Sequence, residues 1–344
     1  MQVRYGPGFG QGAHSTPGTA SFATAGYAAA PTLRAADPAA LQTLAGEAMG
    51  TTWSVRLANP RFMPLAPARE AIEAALALVV RQMSTWEPDS DISCFNRALA
   101  GTWHALPGEF MAVLECAQAW ARASGGAFDP TVGPLVDLWG FGPRAEPLAP
   151  HAGTVPSAEA LAQARARVGF GRIALEADRA LQPGGAHLDL SGIAKGYSVD
   201  LLVQALRAQG FTDFLAEVGG ELRASGTRPG GEPWRVGIAG TERALVLRDQ
   251  AIATSGDHWH AFDHGGRRYS HTVDPRTGEP VAHALASVTV LHADCMQADA
   301  LATVLTVLGP QEGLAFAMRH GVAALLCERT PQGPVFSMTP TFPA

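Results

Sequence analysis

Asp299 and Thr303 stand four residues apart in Ala298-Asp-Ala-Leu-Ala-Thr303, so a helix stacks a carboxylate and a hydroxyl on one face. Two hard oxygens at that spacing suit part of a Mg²⁺ site completed by backbone, water and a substrate phosphate; a solvent-facing polar stripe has the same spacing. The run His187-Leu-Asp-Leu-Ser-Gly-Ile-Ala-Lys-Gly196 puts Lys195 in a helix first turn, where the macrodipole disfavours a cation, and Gly196 where Ala would be steadier. An anion held by the first-turn N–H groups and the ammonium accounts for both residues, as does a solvated lysine beside a packing glycine. His271 precedes Asp274 by three residues near a strand end, the arrangement of a general base with a carboxylate neighbour or of a structural histidine. His258, His260, Asp263 and His264 make a competing transition-metal set, although Gly256, Gly265 and Gly266 around them indicate an exposed loop. Trp86, just past a helix end, either stacks on a planar ring or closes over the core, and taken alone it reads as core. Gly125 to Leu135 mixes Gly, Pro, Phe128 and Asp129, which suits a fixed loop lining a cleft or an ordinary turn.

These groups need elements to hold them. Thr51 to Leu57 reads as a strand, and Pro67 to Met83 as a helix with Ile72, Leu76, Val79, Val80 and Met83 on one stripe. A second helix spans Glu109 to Ala123, Ser157 caps a third that ends at Gly169, and Arg172 to Leu181 reads as a hairpin. His187 to Leu190 is expected as a short strand, Ile193 to Ala208 as a helix closed by Gly210, and Phe214 to Val218 as a strand. Asp294 is the expected N-cap of a helix whose buried stripe is Leu301, Val304, Leu305 and Leu308 and whose stop is Gly309-Pro310. Further strands fall at Trp234 to Ile238, Ala244 to Leu247, Ala251 to Thr254, Arg268 to Val273 and Ser287 to Leu291. Strand following strand directly predicts an α+β fold with mixed, largely antiparallel sheets and packed helices, in two intimately packed halves forming one unit.

A chain of 344 residues that is 47% hydrophobic and 16% charged is not disordered as a whole. Its 25 Lys and Arg against 31 Asp and Glu give a net charge of -6, which leaves no basic field for nucleic acid. No stretch reaches the roughly 20 uninterrupted apolar residues of a membrane span. Cys94, Cys116, Cys295 and Cys327 lie far apart, which predicts ordinary thiols. Residues 1–40 are rich in Gly, Ala and Pro and predict a disordered arm. The start shows no secretory pattern, which predicts a cytoplasmic protein on the sequence as given, or a periplasmic or inner-membrane lipoprotein if an export signal is missing from this start.

In chain order, Met49-Gly-Thr-Thr-Trp53, Met83-Ser-Thr-Trp86, Gly126-Ala-Phe-Asp-Pro-Thr-Val-Gly-Pro-Leu135, Asp189-Leu-Ser-Gly-Ile-Ala-Lys-Gly196, Glu217-Val-Gly-Gly-Glu221, Thr254-Ser-Gly256, His271-Thr-Val-Asp-Pro-Arg-Thr-Gly278 and Ala298-Asp299 with Thr303 can be set side by side. This ordered set resembles the ApbE family, the FAD:protein FMN transferases, from about Met49 to Gly309. The resemblance implies Mg²⁺-dependent transfer of FMN from FAD to a Thr or Ser hydroxyl of a target flavoprotein, with AMP released. The implied acceptor is an electron-transport subunit or a soluble reductase. The resemblance maps Met49, Trp86, Ala127, Phe128, Asp129, Asp189 and Lys195 onto flavin-nucleotide contacts. It maps the carbonyl of Gly192 and the side chains of Asp299 and Thr303 onto metal ligands, and His271 onto the base. Residues 41–344 are then the ApbE-like flavin transferase domain. Two other activities would use the same groups: a Mg²⁺-dependent FAD pyrophosphatase giving FMN and AMP, and a non-catalytic FAD-binding protein.

Overall fold

Alternating side chains along eight strands decide which face of the molecule carries the helices. The structure is a computed structural model that describes residues 40–143, 155–238, 241, 243–256 and 261–343. The expected arm up to residue 39, and with it His258 and His260, lies outside the described residues.

Leu41–Ala48, Thr51–Ala58, Phe214–Val218, Glu221–Ser225, Ala251–Gly256, Leu285–His292, Ala323–Thr330 and Gly333–Met338 form an eight-stranded sheet in that spatial order. Each strand pairs antiparallel with the next. Phe214, Ala216 and Val218 bury against residues of the helices Ala66–Met83 and Ala194–Ala208, whereas Leu215 points to the opposite face, under the ribbon of Trp234–Gly237 and Ala244–Leu247. Ala324 and Leu326 likewise join the helical side while Leu325 joins the ribbon side. The period of two thus sorts the core, and the fold is α+β with largely antiparallel sheets, as expected.

The connection from Ala58 to Phe214 carries the helices Ala66–Met83, Asp91–Asn96, Gly108–Ala123, Gly133–Leu138, Ala158–Arg165 and Ala194–Ala208 and a small sheet of Thr102–Ala105, Arg179–Gln182 and Leu175–Glu176. The helix Cys295–Arg319 lies between the strands Leu285–His292 and Ala323–Thr330 and packs across the sheet. By length and composition alone it is apolar enough to cross a membrane, which the composition reading did not anticipate, but over half of that window is buried inside the protein.

Three local expectations change. His187 to Leu190 is not a strand: the Asn96 side chain accepts from Leu188 N–H at 2.7 Å and donates to Leu188 C=O at 2.9 Å, and Asp189 N–H goes to Pro130 C=O at 2.8 Å, so no ladder forms. The helix capped by Ser157 ends at Arg165 rather than Gly169. Gly309-Pro310 does break its helix, with Gly309 at φ 80°, but helical structure resumes at once and runs to Arg319. Pro310 has no N–H for the Thr306 carbonyl, and His283 Nε2 lies 2.6 Å from that oxygen, filling the space that a Cβ at Gly309 would need.

Candidate active site

Two helices meet here and cap each other. Ile193, the N-cap of Ala194–Ala208, offers no side-chain acceptor; Asp299 Oδ2 from the partner helix accepts the Gly196 N–H at 2.9 Å. In return Asp200 Oδ1 and Oδ2 accept the N–H groups of Cys295 at 3.0 Å and Met296 at 2.9 Å, opening the helix Cys295–Arg319. That is the task expected of Asp294, which makes no cap hydrogen bond and pairs instead with Arg223 at 3.4 Å, while Arg223 also bonds Asp200. Gly196 makes this exchange possible. A Cβ there would sit 2.3 Å from the Cys295 carbonyl oxygen and 2.7 Å from Asp299 Cβ, so the glycine is explained by helix contact. Gly196→Ala should therefore cost at least about 1–3 kcal/mol through overpacking against backbone, read as a lower denaturation midpoint at unchanged m-value.

Lys195 is not a solvated cation. Its Nζ lies 2.6 Å from Glu221 Oε1, and Glu221 is 3% exposed with Oε2 lacking a hydrogen-bond partner among the described residues. Glu221 follows Gly219 at φ 59° and Gly220 at φ 103°; a Cβ on Gly219 would meet Thr51 Cγ2 at 2.9 Å and Lys195 Cδ at 3.3 Å. The glycine pair lets the strand turn close under the lysine stem. Burial, and then the Asp299 charge, push Glu221 up to about 8 against the pull of Lys195. Two buried carboxyl groups facing one ammonium behave as a unit that holds on to its proton. Because the folded state binds that proton more tightly than the unfolded chain, Glu221's contribution is fully present below about 4.5 and is lost as pH rises to about 8. Stability of the Glu221→Gln variant should decline less over that window than that of wild type, as denaturant titrations at a series of pH values would show.

Gly192, in the turn before the same helix, faces Thr303. The position of a Gly192 Cβ lies 3.0 Å from Thr303 Oγ1 and 3.3 Å from Phe128 Cε2, so the turn, the helix and the Gly125–Leu135 loop converge. Among the described residues Thr303 Oγ1 makes no hydrogen bond, unlike Thr306, whose hydroxyl donates to Ala302 C=O at 2.8 Å, and Asp299 Oδ1 accepts none. Burial raises Asp299, and Lys195 and the Gly196 N–H hold it down. A carboxylate oxygen, a hydroxyl and a turn carbonyl are hard donors that fit Mg²⁺, which binds through one or two carboxylates and otherwise water and phosphate. No cluster of three or more His, Cys, Asp and Glu suited to a metal occurs among the described residues, which exclude His258 and His260. Asp263 and the glycines after His264 lie on an exposed ribbon.

The remaining expected residues divide into two groups. Asp129 is 7% exposed and fully engaged, with Oδ1 accepting from Thr131 N–H at 2.8 Å and Thr131 Oγ1–H at 2.6 Å and Oδ2 from Phe170 N–H at 2.9 Å. It shapes the loop that carries buried Ala127 and Phe128. Asp189 Oδ1 similarly accepts from Ser191 N–H and Oγ–H, fixing the turn at Gly192. Met49 is half-buried at the tip of the first hairpin with φ 55°, an uncommon conformation for a side-chain-bearing residue, and Gly50 follows at φ 70°. Trp86 is 69% exposed, which overturns its reading as core. A cavity of about 480 Å³ lies between the hairpin end at Glu47 and Ala48 and the Glu87–Ser90 turn; Met49 follows the one and Trp86 precedes the other in the chain. His271 stands edge-on to Phe141 at 6.4 Å between ring centres. Its neighbours Ser270 and Thr272 line a small cavity with Thr306, one turn beyond Thr303. Asp274 is gripped by Arg276 at 2.8 Å and 3.0 Å. Glu221 and Asp200 went unassigned in the sequence; the carboxylate directly after Gly219-Gly220 was the available signal for the first.

The architecture matches that of solved flavin transferases. The family model described as the ApbE family aligns with residues 49–326, and the chain belongs to the ApbE family. The FAD:protein FMN transferase of Vibrio cholerae is 37% identical over 305 residues, spanning 86% of this chain and 90% of that protein. That of Haemophilus influenzae is 36% identical over 318 residues, spanning 87% and 90%. The apo form of the Pseudomonas stutzeri flavinyl transferase ApbE superposes with a TM-score of 0.81 at 37% identity, covering 88% of this chain and 95% of that one. An ApbE protein from Thermotoga maritima gives 0.78 at 29% identity, covering 88% and 98%.

Proposed function

We propose that this chain is an FAD:protein FMN transferase that moves FMN from FAD onto a Thr or Ser hydroxyl of an acceptor flavoprotein, such as an electron-transport subunit or soluble reductase, releasing AMP. The observation that carries this is the meeting of Asp299, Thr303 and Gly192 at the head of the helix that bears Lys195, in a chain of this family. Asp299, Thr303 and the Gly192 carbonyl would hold Mg²⁺, which when bound supplies positive charge against the pyrophosphate as charge develops on it. Lys195, whose ammonium has donors beyond the one given to Glu221, holds a phosphate oxygen. Trp86 offers an exposed indole for the isoalloxazine, and Met49 at the tip of the first hairpin supplies a second contact. Phe128 closes the inner wall. His271 accepts the proton of the acceptor hydroxyl as its oxygen bonds to the FMN phosphorus and the bond to the AMP phosphate breaks, with AMP carrying off the electron pair.

Incubating the protein with FAD, Mg²⁺ and a candidate acceptor and weighing the intact acceptor tests the proposal. A gain of one FMN mass with free AMP supports transfer; free FMN on an unmodified acceptor would show hydrolysis, and FAD bound without AMP would show a carrier. Trp86→Ala should change stability by no more than about 0.5 kcal/mol, because the ring is exposed, while weakening FAD binding by roughly 0.5–1.5 kcal/mol. Fluorescence titration with FAD beside a thermal melt checks both halves.

A further inference from the structure

Lys195 has two carboxylates to choose from. It bonds Glu221 Oε1 at 2.6 Å, while Asp299, which bonds the very next residue at Gly196 N–H, lies beyond ion-pair distance of its ammonium. Its stem is confined by Gly219, and two-thirds of the side chain is buried, so few other positions satisfy the charge. Glu221 is buried with its second oxygen unpartnered, a costly arrangement for a residue whose only polar side-chain contact among the described residues is that lysine. Were the acceptor at position 221 absent, the nearest compensating group for the ammonium would be Asp299. An ammonium on Asp299 would compete directly with any cation for its free oxygen.

We infer that Glu221 is a positioning residue that holds Lys195 away from Asp299 and so keeps the Asp299 carboxylate open for a divalent cation. Glu221 touches neither the nucleotide nor the cation; it acts through the lysine. The inference rests on the reading of Asp299 as a metal ligand given above. Its physical content is an acceptor oxygen at a set place, not a unit of charge, and this separates it from a general electrostatic effect.

The experiment compares two variants of equal charge in the full chain. Glu221→Gln retains an acceptor for Lys195; Glu221→Met fills the same volume without one. Mn²⁺ alone is titrated into each FAD-free protein and free Mn²⁺ is read by electron paramagnetic resonance, with thermal melts to confirm folding and a crystal structure of the Met variant to place Nζ. Glu221→Met is expected to lose on the order of 10- to 100-fold in Mn²⁺ affinity with Nζ moved onto Asp299, and Glu221→Gln to stay within a few-fold of wild type. Adding Lys195→Met to Glu221→Met should recover most of the lost affinity, since the competitor is gone. Equal affinities in the Gln and Met variants would overturn the inference, as would a Lys195 ammonium in the Met variant that remains at position 221 or turns to solvent. A wild-type protein that takes up no Mn²⁺ would instead remove the metal assignment of Asp299, and the position of Nζ would still decide whether Glu221 restrains the lysine.

Discussion

Asp299→Asn is expected to lower the rate of acceptor flavinylation by at least about a hundredfold while leaving the melting temperature nearly unchanged. The asparagine carbonyl can still accept the Gly196 N–H that Asp299 Oδ2 accepts at 2.9 Å, so the cap of the Ala194–Ala208 helix survives. Lys195 stays on Glu221. What disappears is the only carboxylate among the proposed cation ligands, and charge stabilisation of that kind is worth several kcal/mol of barrier, about 1.4 kcal/mol for each factor of ten. Asp299→Ala adds the loss of the cap, roughly 1 kcal/mol, so the two variants should match in activity and differ in stability. In-gel fluorescence of the acceptor over a time course, beside calorimetric melts, gives both numbers. Turnover of the Asn variant within threefold of wild type would remove Asp299 from the metal site.

Asp200→Ala should show the opposite profile, with the fold suffering most. Asp200 bonds Cys295 N–H, Met296 N–H and the Arg223 guanidinium, all largely shielded from water. Among the described residues, its removal leaves two helix-end donors without an acceptor and Arg223 with only Asp294 at 3.4 Å, and Arg223 Nε already has no partner there. Breaking a buried charged pair from one side costs about 3–5 kcal/mol, which for a chain of this size lowers the melting temperature by roughly 4–8 °C. Asp200→Asn, which keeps an acceptor oxygen, should lose clearly less. A fall under about 1 kcal/mol for Asp200→Ala by urea titration would mean that the two helices are registered by Gly196 contact and apolar packing alone.

The sequence was informative wherever the relevant physics acts within one turn or one strand. Period-two alternation at Phe214–Val218, the Ser157 cap, the Gly309-Pro310 break and the i,i+4 pairing of Asp299 with Thr303 are all properties of neighbouring residues, and the structure shows each of them. The ordered motifs, each too short to decide anything alone, sufficed together for the family. Residues whose partners arrive from elsewhere stayed silent: Asn96 replacing a ladder at Leu188 across 92 positions, His283 answering the carbonyl that Pro310 orphans, Asp200 taking over the cap from Asp294 across 95. Lys195 is the clearest case. Its presence in a helix first turn was visible as an anomaly in the chain, but its partner Glu221 sits on a strand, and only the close approach allowed by Gly196 and Gly219 brings the two carboxyl groups around one ammonium. Local sequence sets what a residue can do; burial, which sets what it must be paired with, exists only once the helices and the sheet have met.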